Sequence, residues 1–134
     1  MKLFLVALAA LAGICVVGLI AFSIAGPKQL IAAHEIAAIH TTKIIHQAMT
    51  QYYSQNGRYA LDLGELSDLI SPTLASGQDG YRFAVRGSAD GYSISASPVE
   101  FGQTGKRTFY SDQTLVIRYR EGPDLANQES PELP

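Results

Sequence analysis

The chain has 134 residues, with ten Lys and Arg against twelve Asp and Glu, for a formal net charge of -2. Once the apolar start is set aside, that length supports one modest core, and the scattered, nearly balanced charge gives no footprint for nucleic acid. Cys15 is the one cysteine, which excludes an intramolecular disulfide and a multi-cysteine zinc site, so the fold must hold by packing.

No charged residue occurs from Leu3 to Ala25. A run of that length matches the ~20 residues a helix needs to cross the hydrocarbon core. Lys2 and Lys28 flank it, and the short leading segment favours a cytoplasmic N-terminus with the remainder translocated. Signal-peptide cleavage after Ser23-Ile24-Ala25 is the competing reading. Signal cores are shorter, about 7–15 residues, and Pro27 would stand awkwardly close to the cut. A lipobox at Leu11–Cys15 would need a small residue before the cysteine, where Ile14 stands, so Cys15 reads as a small apolar residue of a bilayer helix. The uncut membrane helix is the reading the length favours.

Beyond Gly26-Pro27 the pattern remains helical. Leu30, Ala33, Ala37, Thr41, Ile44, Ala48 and Tyr52 recur on one stripe, broadened by Ile45 and Met49. No stop signal appears before Asn56-Gly57. The pattern predicts one helix over about 3–54, kinked at Gly26-Pro27, where the chain leaves the membrane. Its first half lies in lipid and its second half lays an apolar stripe on a partner in water. His34, His40 and His46 are six residues apart, so they point in three directions and do not converge on a metal ion.

Asp62 and Glu65 form a capping-box pattern that predicts a short helix over about 63–70, ending before Pro72. Alternation then predicts strands at Tyr81–Arg86 and Tyr92–Ser97. Arg107–Tyr110 and Leu115–Arg120 read as a hairpin about Ser111-Asp112-Gln113. Such a sheet has one apolar face and needs a partner; the second half of the long helix is the obvious one. The tail from Glu121 is Pro-rich and acidic without periodicity, and is expected to be disordered. No phosphate loop or nucleophile elbow appears, and Lys106-Arg107 beside Phe109 and Tyr110 reads as an ordinary strand edge.

The order of elements, with the stretches Ala25–Leu66 and Gly91–Tyr119, resembles the type IV pilin and type II secretion pseudopilin family. The shared marks are a proline at the membrane exit, small residues alternating with Glu and Ile, a Tyr-rich helix end, a loop Gly102-Gln103-Thr104-Gly105 similar to the family's Gly-Thr-Gly loop, and a Phe-Tyr-Ser-Asp-Gln hairpin. The resemblance implies an α+β fold: a long kinked N-terminal helix, membrane-spanning in its first half, packed on an antiparallel sheet of 3–4 strands. It implies a transmembrane segment over 1–26, a pilin-like periplasmic domain over 27–120 and a tail over 121–134. The implied function is structural: a minor subunit in the bacterial inner membrane, associating with lipid and with other pilin-like subunits. Gly26 and Pro27 would form the kink, and Ala33, Ala37, Ile44 and Ala48 the helix–helix assembly face. No enzyme activity, cofactor, metal, small-molecule substrate or nucleic-acid partner is expected. Aligning Pro27 with the family's proline puts the mature start near Val6 and the family's acidic position on Ala10. The processing glycine and the acid are both missing, which implies the fold without prepilin processing. The alternatives are an anchored periplasmic binding or scaffold module that never polymerises, and a secreted soluble domain.

Overall fold

The computed structural model describes residues 26–134. The expected span over 3–25 lies outside them, as does the lipid half of the expected kinked helix. Among the described residues no helix is long and apolar enough to cross a membrane. Helix α1 runs Pro27–Asn56. Pro27 occupies its first helical position, where a missing N–H leaves no bond unmade, and Gln29 N donates to Gly26 O at 3.0 Å. Gly57, at φ 70°, ends the helix by donating to Tyr53 O at 2.8 Å, the stop expected at Asn56-Gly57. The chain divides at Leu30, and residues 31–134 form the unit described from here on.

Two short 3-10 helices follow, η1 at Leu63–Leu66 and η2 at Pro72–Leu74. The helix expected over 63–70 is thus a single tight turn. Its cap is as the sequence suggests: Asp62 accepts from Glu65 N at 3.1 Å, and Glu65 accepts from Leu61 N at 2.8 Å. Arg58 adds a bidentate pair to Glu65 and holds that carboxyl down at about 2, chiefly through its hydrogen bonds.

Among the described residues the strands are β1 (Tyr81–Gly87), β2 (Tyr92–Pro98), β3 (Arg107–Asp112) and β4 (Ile117–Glu121). They form one antiparallel meander in sequence order. Alternation decides the faces: Tyr81, Phe83, Val85, Tyr92, Ile94, Ala96 and Phe109 enter the core with Ala38, Ile45 and Met49 of α1. Arg82 and Arg86 stay on the opposite face in water.

The helix stripe is the expected one only in part: Ala48, Ile45 and Met49 are buried and Tyr52 packs against the core, but Ala33 and Ile44 are exposed. The buried residues of α1 are Glu35, Ala38, Thr42, Ile45, His46, Ala48 and Met49. The centre of that stripe is turned by roughly 130° from the line through Ala33, Ala37 and Ile44. Three of its members are polar, so a search for apolar periodicity alone selects the neighbouring line.

The tail also departs from expectation. Thr108 Oγ1 donates to Asp124 O at 2.7 Å and accepts from Ala126 N at 2.9 Å, and Ala126 is buried. Farther on, Tyr119 N donates to Pro131 O at 3.0 Å and Leu133 N to Ile117 O at 2.8 Å, so the last residues pair along the free edge of β4. An unpaired strand edge and a buried hydroxyl supply the order that the tail's own composition lacks.

Candidate functional site

Two polar locks cross from α1 to the sheet. In the first, Glu35, 7% exposed, accepts from Lys106 N at 3.0 Å and from Arg107 Nε at 2.9 Å, and pairs with Arg107 Nη2 at 2.8 Å. The Arg107 guanidinium lies 5.4 Å from the ring centroids of both Phe109 and Tyr119. The expected strand-edge role of Arg107 is therefore replaced by a helix–sheet ion pair. Beside it, His34 Nδ1 donates to Thr104 O at 3.1 Å, and Tyr81 Oη donates to Arg107 O at 2.7 Å. Gly105 leaves room for that tyrosine, since a Cβ there would overlap the Tyr81 ring and hydroxyl.

The second lock is a buried chain through His46. Its Nδ1 lies 2.6 Å from Tyr92 Oη and its Nε2 lies 2.7 Å from Ser111 Oγ. Ser111 Oγ donates its one hydrogen to Val116 O at 2.8 Å. The remaining protons follow by elimination. Nε2–H donates to Ser111, and Tyr92 O–H donates to Nδ1. His46 is a neutral ring with both nitrogens satisfied. Burial pushes its pKa down, opposed by the nearby Asp112 charge. Burial likewise pushes the Tyr92 hydroxyl up to about 12, so it stays protonated as a donor. With the hydroxyl proton of Ser111 committed to a carbonyl, His46 does not face it as a general base. This arrangement fixes side chains rather than activating one.

Two open grooves flank these locks. One, of about 490 Å³, lies at the end of the outer sheet face, lined in part by Arg86, Ser93, Tyr110, Asp112 and Gln128. Burial works to raise the Asp112 carboxyl, but hydrogen bonds from Thr114 and Tyr110 together hold it below the usual range. The other, of about 510 Å³, runs along α1 past His46, Gln47, Thr50 and Gln51 to Leu115, and its walls are mostly apolar. Leu115 is 63% exposed and sits at φ 66°, a left-handed conformation that leucine rarely adopts. Among the described residues no group of three or more His, Cys, Asp and Glu is placed to hold a metal ion. The three histidines part company: His34 holds a loop, His40 is exposed and His46 is buried.

The residues expected to form an assembly face do not share one environment. Ala33 and Ile44 are exposed, Ala37 is half-buried, and Ala48 is buried in the core. Ile36, 67% exposed, joins the exposed side of the helix instead. Gly26 stands just before α1 and Pro27 is its first residue, and the helix expected on the other side of the kink lies outside the described residues. Sequence reasoning missed Glu35, Thr42 and His46 as buried groups. The available signal was their spacing, since seven and four residues apart they lie on one helical face. Comparison with known protein families, curated proteins and solved structures finds no match to this chain. The class of protein rests on the fold itself: α+β, one long helix on a four-stranded antiparallel sheet.

Proposed function

We propose that the chain is a membrane-anchored, pilin-like structural protein, a subunit of a type IV pilus or type II secretion pseudopilus. In this reading the run Leu3–Ala25 anchors it in the bacterial inner membrane with the sheet domain in the periplasm. Helix α1 then packs against helices of neighbouring subunits. The observation that carries the reading is the outward side of α1. Ala33, Ile36, Ala37 and Ile44 fall within about 100° of one another around the axis, with Ile36 67% and Ile44 38% exposed. Isoleucines in water beside small alanines suit close helix–helix contact. The opposite side of the helix is committed to the sheet by the Glu35 and His46 locks, so the outward side is presented on a rigid element.

The test is disulfide trapping in membranes of cells producing the full chain with Cys15→Ser. A single cysteine at Ile44 is expected to give dimers under mild oxidation, and one at Ser95, on the outer sheet face, is not. Failure of a single cysteine at Ile44 and of another at Ala33 to give dimers would leave an anchored module that does not polymerise. An intact mass beginning at Gly26, found in the soluble fraction, would make it a secreted domain.

A further inference from the structure

We infer that the loop joining β2 to β3, residues 99–106, contacts the lipid surface through Val99 and Phe101. The inference rests on the anchored reading above and adds a second point of membrane contact to it. Val99 is 38% and Phe101 47% exposed, on a loop that is otherwise small and polar. The exposure is not that of a slack segment. Gly102 N donates to Gly105 O at 2.8 Å, Thr104 N to Glu100 O at 2.9 Å, and Val99 N to Gly80 O at 2.9 Å. Glu100 N donates to Thr104 Oγ1 at 3.1 Å. A loop bonded this way displays an aromatic ring at a fixed place, and that order serves a side chain the core does not use.

The fixed place is next to one turn of α1. His34 donates to Thr104 O, and Glu35 accepts from Lys106 N. The apolar run ends at Ala25, nine residues before His34. Nine residues rise about 14 Å as helix and reach no more than ~30 Å when extended. The polar layer of a bilayer leaflet is itself about 5–8 Å thick, so a run seated in hydrocarbon tethers this loop within a short reach of the headgroups. The chemistry fits an interface. An aromatic and a branched aliphatic side chain enter the acyl boundary, and Lys106, exposed at the end of the same loop, is available to meet lipid phosphate. Glu100, also exposed, is the loop's one acid and opposes that last term. The contact is therefore carried by apolar burial more than by charge, and weakens little with salt.

The chain has no tryptophan, so Phe101→Trp installs a single reporter. The full-length variant is reconstituted into phosphatidylcholine vesicles containing phosphatidylglycerol, with and without brominated acyl chains. A second variant, Leu61→Trp, places the reporter at an exposed site beyond the far end of α1. For the Phe101→Trp chain, a blue shift and a loss of about half or more of the emission are expected with brominated lipid. Emission from the Leu61→Trp chain is expected to stay unchanged. If the Phe101→Trp chain floats with the vesicles yet its emission is unquenched, the loop contact is overturned and the anchor stands. Chain that does not float overturns both. Equal quenching in the two variants also overturns the inference, since the domain would then lie on the membrane without orientation.

Discussion

Glu35 and Arg107 are 72 residues apart in sequence and 2.8 Å apart in space. The carboxylate is nearly buried, while the arginine side chain keeps 29% of its exposure. Glu35→Gln strands the guanidinium, which relaxes partly into water. The expected loss is about 2–3 kcal/mol, below the range for a fully buried pair. The double variant Glu35→Leu, Arg107→Met should recover most of it. Urea unfolding of the full chain in detergent measures both. Equal loss in the single and the double variant would contradict the ion-pair account.

Acid should destabilise the fold through His46. Its folded pKa lies below the ordinary 6.5, so the unfolded chain takes up the proton first as the pH falls. Stability contributed by the neutral ring is fully present above about pH 6.5 and is lost progressively as the pH drops toward the folded pKa. Melting temperature is expected to fall between about pH 7 and pH 5 in the native chain. His46→Gln should lower the melting temperature at neutral pH and flatten that slope. A slope unchanged by the substitution would assign the acid sensitivity elsewhere.

Leu115 carries two local penalties, a left-handed backbone and an exposed apolar side chain. Asparagine tolerates that backbone, so Leu115→Asn is expected to raise stability by about 0.5–1 kcal/mol. The midpoint of denaturant unfolding decides. A lower midpoint would mean that the packing of Leu115 beside Gln47 and Thr50 outweighs its strain.

Removing the tail after Gly122 should do more than shorten the chain. Thr108 Oγ1 would lose both its partners, Ala126 its burial site, and Ile117 and Tyr119 their edge bonds. The expected cost is about 2–4 kcal/mol, together with self-association through the uncovered β4 edge. Unfolding and light scattering read the two effects separately. A truncated chain of native stability would return the tail to the role of a loose appendage.

How much of this was legible in the sequence can be traced residue by residue. The alternation of Tyr81, Phe83 and Val85 with Arg82 and Arg86 placed β1 and its faces, because strand geometry has a period of two whatever lies nearby. Asp62 with Glu65 declared a cap, and Asn56-Gly57 a helix end, because those are bonds within one turn. The fold class followed from these local rules. The outer face of α1 did not. Local periodicity offered two adjacent lines of residues, and the sheet selected the one carrying Glu35, Thr42 and His46. Thr42 is satisfied within the helix by Ala38 O, but Glu35 and His46 are admissible in a core only because Arg107, Lys106, Tyr92 and Ser111 arrive from the sheet and its loop, 46 to 72 residues away. The tail was misjudged for the same reason, since its order comes from the edge of β4 and from Thr108. By itself the sequence determined the elements, whose causes lie within a few residues. Tertiary structure alone decided which polar groups are buried, because a buried charge or imidazole is tolerable only once its partner is in place.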